Sequence, residues 1–277
     1  MSEKNQYLVK AFVDGLQEIV EETKIGDYEF GFAQLEKKHF LSTIVTAGNM
    51  TEATGKSFTK LGQMLRIITL FTGKPYSILY INSNQISDKQ TSQIFSSAIL
   101  EAKVIARHSL FNKDKIEEIR KTANVIEKLP NEEHSTKVAI RALSYFERGC
   151  YLETIWRSES FLNFFKGIEL ISKDFEKLFD TEVNNQLKNT LLRELTKEDL
   201  KAMRTLKRVI QFTCEQLGIT DCNVSEIVNL RSEFSAHARL KEVTVTKEKF
   251  SNCKKLAEKL IISYLNHISP KSSSPTP

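Results

Sequence analysis

The sequence lacks any long hydrophobic run. None of its apolar stretches approaches the roughly 18–20 residues that a membrane-spanning helix needs. The N-terminal segment MSEKNQYLVK is polar and has neither the apolar core nor the cleavage site of a signal peptide. Glycine and proline are also scarce, at 10 and 5 of 277 residues. We therefore expect a globular cytoplasmic protein that does not enter a membrane.

Cysteine and histidine are few and scattered. The four cysteines form no CxxC pair, and the five histidines form no HExxH or HxH pair. Zinc sites and disulfide frameworks depend on such clustered residues. We expect no metal, no cofactor and free, mostly buried thiols at Cys150, Cys214, Cys222 and Cys253.

The excess of charge of one sign is small. The net charge is +5 and the isoelectric point is near 8.8. This is mildly favourable to RNA, but a dedicated nucleic-acid-binding domain usually has an isoelectric point above about 9. The charge alone favours solvated, lysine-rich helix faces.

Pro130 marks the clearest break in the chain. The residue before a proline disfavours helix, and helical patterns flank Leu129-Pro130-Asn131 on both sides. Three regions follow: an α+β domain of unknown role at 1–129, a helical domain at 130–268, and a Ser- and Pro-rich tail at 269–277 that is predicted to be disordered.

The first region mixes two periodicities. Apolar residues recur at helical spacing from Leu8 to Val20, through Phe12, Leu16 and Ile19. A second helical pattern runs from Ser57 to Phe71 and is ended by Gly73-Lys74-Pro75. Strands are predicted at 28–35, 39–47 and 76–81. A charged amphipathic helix is predicted at 113–129, and the segment 91–108 fits helix or strand equally.

Everything after Pro130 reads as helix, with connections short enough for antiparallel neighbours. Thr196 is a natural N-cap before three polar residues, and Gly218 suits the position after a helix end. The predicted class is mainly α: an antiparallel helical bundle preceded by a smaller α+β domain. The predicted helices are 135–149, 151–173, 181–194, 197–217, 223–238 and 246–267.

The segment TAGNMTEATGKS at 46–57 resembles a phosphate-binding P-loop in part. Gly55-Lys56-Ser57 supplies the end of GxxxxGK[ST], but Met50 stands where the first glycine belongs and Gly48 is two residues early. The number of backbone N–H groups in such a loop sets its fit to phosphate. We therefore expect a plain strand–turn–helix connection here. An NTPase is the weakest of the three functions considered for this chain; the other two are given below.

An aromatic run occupies the segment 156–165. Trp156, Phe161, Phe164 and Phe165 could stack unpaired bases. They recur at helical spacing on one face, however, and large aromatic side chains are usually buried. We therefore assign all four to the core.

The segment NLRSEFSAHARL at 229–240 places Arg231 and His237 on one predicted helix. The small residues Ser232, Ser235 and Ala236 between them permit the close approach of another helix or of a phosphate backbone. This helix is the last but one of the predicted bundle.

These features resemble the HEPN family, whose hallmark is Rx4–6H on a late helix of an α-bundle. Arg231 and His237 match with five intervening residues. The segment 156–171, WRSESFLNFFKGIELI, resembles the second helix of MauJ-like and ApeA-like HEPN proteins. The segment 58–81 resembles, less specifically, a helix–turn–strand unit of the ApeA N-terminal domain. The resemblance covers about half of the chain closely and the rest loosely.

The resemblance implies a metal-independent endoribonuclease in which the 2′-OH of RNA attacks the adjacent phosphate. His237 would transfer protons and Arg231 would stabilise the phosphorane, because histidine titrates near neutrality and arginine fits phosphate oxygens. Three residues would support the site: Glu169 as a partner of Arg231, and Asn229 and Ser232 as contacts that bind the phosphate or orient the other groups. For Glu169, a surface position beside Lys166 and Lys173 is an equal alternative.

The geometry of this helix indicates that the site needs a second subunit. Six residues at about 100° each place positions 231 and 237 about 240° apart. HEPN sites are typically formed where two domains meet, so we expect a homodimer or a HEPN-bearing partner.

The expected role is a bacterial defence or stress effector of the antiviral or toxin type, with RNA as its substrate and a regulatory protein as a further partner. The family often has Asn, Asp or His directly after the arginine, where this chain has Ser232. This departure leaves a second reading open. The bundle would then be a non-catalytic dimerisation module, and the N-terminal domain would recognise a protein, a nucleotide or a nucleic acid.

Overall fold

The computed structural model describes residues 5–16, 24–33, 37–86, 113–130, 132–191, 196–237 and 245–269. Side chains are described at all of these positions except 113, 188–191 and 235–237. The chain is mainly helical with an N-terminal antiparallel sheet. It divides into two compact units, Met1–Asn124 and Val125–Pro277, and the division falls inside a helix that ends just before Leu129-Pro130.

The described residues of the first unit form a five-stranded sheet, one long helix and the first part of the helix in which the two units divide. All strand pairings are antiparallel, and the spatial order is β2-β3-β4-β1-β5. The helix α1 packs on one face of this sheet, where the hydroxyls of Thr54 and Ser83 lie 2.7 Å apart. The strands are β1 (Asn5–Asp14), β2 (Lys24–Ile25), β3 (Tyr28–Ala33), β4 (Lys38–Ala47) and β5 (Ser77–Gln85), and α1 spans Met50–Thr72.

The helix predicted around Leu8 and Phe12 is wrong, because both residues lie in β1. A spacing of four residues puts two side chains on the same face of a strand as well as of a helix. Strand β1 lies between β4 and β5 and is buried on both faces, so it shows no alternation that would have identified it. Ile19 and Val20 lie outside the described residues.

The strand–turn–helix prediction for 46–57 is confirmed, although α1 begins at Met50 and not at Ser57. Asn49 caps the helix by accepting a hydrogen bond from the Glu52 backbone N–H at 2.9 Å. Lys56 therefore lies in the second turn, where its Nζ is 2.5 Å from the Glu52 carboxylate. A turn of two residues cannot wrap a phosphate with successive N–H groups, so the P-loop geometry is absent from this segment.

The last strand of this sheet differs from its prediction. We expected a short buried strand at 76–81, but β5 runs from Ser77 to Gln85 and is largely exposed. It pairs only with β1 among the described strands, so one of its edges is not covered by that sheet. Its apolar residues Leu79 and Tyr80 are exposed, because an edge position leaves one side of the strand without neighbours. The segment 91–108 lies outside the described residues.

The amphipathic helix predicted at 113–129 is confirmed as α2 (Lys113–Lys128). Its buried apolar residues within the helix, Ile116, Ile119, Ala123 and Ile126, recur at intervals of three and four and so form one face.

Helices are the only regular secondary structure among the described residues of the second unit. Its core is aromatic: the Phe146 and Phe164 rings lie 5.1 Å apart, and the Phe164 and Phe250 rings lie 5.7 Å apart. The helices are α3 (His134–Leu152), α4 (Arg157–Asp174), α5 (Glu176–Leu191), α6 (Lys197–Met203), α7 (Leu206–Gln216), α8 (Val224–His237) and α9 (Lys247–Ile268).

Two predicted helix ends are confirmed and one predicted helix is divided. Thr196 and Asp199 form a capping box, and Gly218 adopts the left-handed conformation (φ 70°) that ends α7. The helix expected over 197–217 is two helices, because the Thr205 side chain accepts a hydrogen bond from the Arg208 backbone N–H and starts a new one.

The four aromatic residues of the segment 156–165 differ in their exposure. Phe161, Phe164 and Phe165 are buried as predicted, but Trp156 is 63% exposed. The cause is a turn at 153–156 between α3 and α4, which places Trp156 before the first turn of α4. The predicted helix 151–173 therefore begins at Arg157, and the assignment of Trp156 to the core is wrong.

Candidate functional site

The candidate site is centred on α8. Asn223 accepts a hydrogen bond from the Glu226 backbone N–H at 3.2 Å and closes the first turn. Val224, Ile227 and Leu230 are buried on one face, which packs against α7 and α9. The three-residue spacing of these apolar side chains thus determines which face of α8 is buried, and so where Arg231 lies on the helix.

Arg231 is half-buried at the edge of that face. Its guanidinium carbon lies 5.9 Å from the centre of the Phe165 ring of α4. Cation–π contact at this range is worth about 0.5–1 kcal/mol at partly exposed sites. The guanidinium therefore lies beside α4, within cation–π range of the Phe165 ring.

A second ring contact sets the alignment of α8 with α4. The rings of Phe161 and Phe234 lie 5.6 Å apart. Arg231 is therefore beside Phe165, and Phe234, which comes later in α8, is beside Phe161, which comes earlier in α4. The two helices are antiparallel along this contact, and the C-terminal end of α8 lies at the N-terminal end of α4.

His237 is the last residue of α8. Arg231 and His237 therefore lie on one helix without a break between them, about 9 Å apart along its axis and about 240° apart around it. Both positions thus belong to α8, as predicted.

The supporting residues occupy different surroundings. Asn229 and Ser232 are exposed on α8, and the Ser232 hydroxyl donates a hydrogen bond to the Val228 carbonyl at 3.0 Å. Glu169 is half-buried on α4, one helical turn beyond Phe165. It shares the Phe165 side of α4, which faces Arg231, but the pairing of Glu169 with Arg231 stays a prediction.

Further features were missed by reasoning from the sequence. A surface pocket lies at the N-terminal end of α8, lined by residues that include Cys222, Asn223 and Asn252. Arg231 does not line it. The exposed Trp156 is the other such feature; no glycine or proline in 151–156 signals the turn that exposes it.

Within the described ranges, no group of three or more histidine, cysteine or acidic side chains is arranged to hold a metal ion. The described helices include none that is long and apolar enough to cross a membrane.

In comparisons with known proteins, no family model, no curated protein and no solved structure matches the chain.

Proposed function

We propose that this protein is a metal-independent endoribonuclease of the HEPN type that acts as a bacterial defence or stress effector. The observation that supports it most is the placement of Arg231 and His237 on α8 of the helical unit, with the Arg231 guanidinium held against the Phe165 ring. An arginine held in this way is preorganised for an oxyanion, because less side-chain freedom is lost on binding.

The chemistry assigns one role to each residue. RNA carries its own nucleophile, so the protein needs only to move protons and to stabilise the negative charge of the phosphorane. His237 takes the proton of the 2′-OH or gives one to the 5′-oxygen that leaves. Arg231 binds the phosphate oxygens through its N–H edges. The products are a 2′,3′-cyclic phosphate and a 5′-hydroxyl.

The helix geometry favours a site shared by two subunits. Positions 231 and 237 point in different directions on α8, so one phosphate is reached more easily by Arg231 of one chain and His237 of another. We therefore propose a homodimer, or a complex with a HEPN-bearing partner, in which two α8 helices meet. A regulatory protein is a further expected partner.

The test is cleavage of labelled single-stranded RNA by the purified chain in EDTA. We expect Arg231→Ala and His237→Ala each to lower the rate by about 100-fold or more, within the range of positioned acid–base and electrostatic groups. Arg208→Ala is the matched control, because Arg208 is an exposed arginine on α7 and its loss should leave the rate unchanged. Cleavage that survives both substitutions would reject the site assignment.

One observation favours a second function. The Ser232 hydroxyl donates its proton to the Val228 carbonyl of its own helix, so it offers a phosphate no hydrogen while that bond lasts. A non-catalytic bundle, with the first unit as the recognition part, needs no such donor. If RNA stays intact under all conditions while the protein forms a stable dimer, this binding function replaces the first.

A further inference from the structure

The turn between α3 and α4 exposes three large apolar side chains. Trp156 is 63% exposed, Ile155 68% and Tyr151 38%. The turn is nevertheless well anchored: the Trp156 backbone N–H donates to the Leu152 carbonyl at 2.7 Å, and the buried Ser160 hydroxyl donates to the Gly149 carbonyl at 2.6 Å. Three exposed large apolar side chains clustered on one firmly held turn mark a candidate binding surface.

The alignment of α4 with α8 places this turn next to the candidate site. Arg157, Phe161 and Phe165 are four residues apart and lie along one row of α4. Phe161 is opposite Phe234 and Phe165 is opposite Arg231. Arg157 lies one turn before Phe161 on α4, and His237 lies about one turn after Phe234 at the end of α8, so we infer from the same antiparallel order that Arg157 lies toward that end of α8.

The stability of α4 does not account for either residue. Trp156 occupies the N-cap position and makes no side-chain capping hydrogen bond, although Ser, Thr, Asp or Asn is preferred there. Arg157 is a cation in the first turn, where the helix dipole favours acidic residues. Positions that break local rules without a structural gain are often functional.

The charges around the turn leave a cation available. Arg157 is exposed and forms no ion pair with the side chains that the structure describes. Two acids lie near Arg157 in the sequence: Glu153 is paired with Lys254 at 2.5 Å, and Glu159 is exposed in the first turn of α4. An exposed aromatic ring and an exposed arginine, in line with the half-buried Arg231, are the combination that holds single-stranded nucleic acid.

We propose that Trp156 and Arg157 bind the RNA strand beside the scissile phosphate, with Trp156 stacking on an unpaired base and Arg157 contacting a neighbouring backbone phosphate. This rests on the proposed function, since it names the substrate class as unpaired RNA. A base-paired segment hides its base faces in the stack, so a duplex cannot use the tryptophan.

Intrinsic fluorescence tests this directly, because Trp156 is the single tryptophan of the chain. The probe is a short single-stranded 2′-O-methyl RNA, which has no free 2′-OH and cannot be cleaved by this route. We expect the probe to quench the tryptophan emission of the full chain as a base stacks on the ring. A duplex of the same sequence, and inorganic polyphosphate as a base-free polyanion, should leave the emission largely unchanged.

Affinity for the same probe, measured by fluorescence anisotropy, tests the two residues separately. Trp156→Ala should weaken binding by about 5- to 100-fold, the range measured for stacked bases, and Trp156→Phe should keep most of the affinity. Arg157→Ala should lower the slope of log affinity against log salt by about 0.7, as the loss of one phosphate contact to a single strand does. Phe58→Ala and Arg208→Ala are controls, because Phe58 is an exposed aromatic of the first unit and Arg208 an exposed arginine of the second.

The outcomes separate this inference from the nuclease. Quenching without RNA cleavage would support the RNA-binding turn and reject the nuclease. Cleavage of ordinary RNA with unchanged emission and unchanged affinity of Trp156→Ala would reject the turn alone. If Trp156→Ala instead separates a dimer into monomers while RNA affinity is kept, the turn is a subunit interface and the inference is wrong. A loss of affinity in Trp156→Ala counts only if its thermal unfolding matches that of Trp156→Phe.

Discussion

At the scale of single residues, the four thiols differ in their surroundings. Cys150, Cys214 and Cys253 are buried, whereas Cys222 is half-buried in the loop before α8. Burial raises the pKa of Cys150 to about 12 and also raises the pKa of Cys253. The pKa of Cys214 is raised too, by burial first and then by the Cys222 thiol, whose sulfur lies 3.7 Å away.

This difference predicts selective alkylation. Because the thiolate is the nucleophile, a buried thiol with a raised pKa reacts slowly. We expect iodoacetamide at pH 8 to modify Cys222 first in the native protein, with the other three reacting only after unfolding. Intact-mass spectrometry over time measures this as a single fast addition. The Cys222→Ser variant should lose the fast addition; a fast phase that remains in it would contradict the assignment.

Trp156 shows what single-residue patterns miss. Sequence reasoning assigned it to the core as part of the aromatic run, although its spacing of five and nine residues from Phe161 and Phe165 places it about 140° and 180° away from them on an ideal helix. Its exposure depends on the turn at 153–156, and no turn-forming glycine or proline marks that turn. The same spacing argument succeeded for the three phenylalanines, because α4 is continuous through them.

At the scale of elements, α3 and α4 approach each other closely at Gly149. A Cβ atom on Gly149 of α3 would lie 2.5 Å from the Phe164 ring. The Phe164 ring is itself held between Phe146 and Phe250. Glycine at 149 is therefore required by the approach of the two helices and not by its own backbone conformation.

We expect Gly149→Ala to destabilise the protein by about 1–3 kcal/mol, as overpacking of a rigid core does. Gly62→Ala is the matched control, because Gly62 lies inside α1 with no heavy atom near the added Cβ. It should be neutral or stabilising by up to about 1 kcal/mol, since alanine favours helix. Urea unfolding measures both variants. Equal effects of the two substitutions would mean that the Phe164 ring moves aside freely.

The elements also show where local signals suffice. The helix ends at Thr196 and Gly218 were predicted because capping depends on residues within one turn. Strand β1 was not, because its central place between β4 and β5 and its contact with α1 depend on elements that are distant in the sequence. For the same reason β5 was predicted as buried, although its edge position leaves Leu79 and Tyr80 exposed.

At the scale of the whole molecule, the candidate site lies within one unit but is proposed to require two chains. Arg231 and His237 occupy different directions on α8. If each site takes the arginine of one chain and the histidine of the other, a chain lacking Arg231 and a chain lacking His237 complement each other. If both residues act within one chain, they do not.

Mixing the two inactive variants separates these cases. After subunit exchange, half of the dimers contain one chain of each variant, and each such dimer has one complete site of two. We therefore expect Arg231→Ala mixed with His237→Ala to recover about a quarter of the wild-type cleavage rate. Each variant mixed with itself is the control. A mixture as inactive as its parts, with exchange verified by mass, would place both residues in one chain.

The sequence by itself determined the helical class of the second unit, the helix carrying Arg231 and His237, and the cap residues. These depend on periodicity and on contacts within a few residues along the chain. Only the tertiary structure decided that Arg231 rests on Phe165, that Phe161 meets Phe234 and that Trp156 faces water. Those facts depend on how α4 and α8 pack, and such packing joins residues about 70 positions apart, a range that no local pattern encodes. The Arg231–His237 pair thus came from the sequence, whereas the exposure of Trp156 and Arg157 came from the fold.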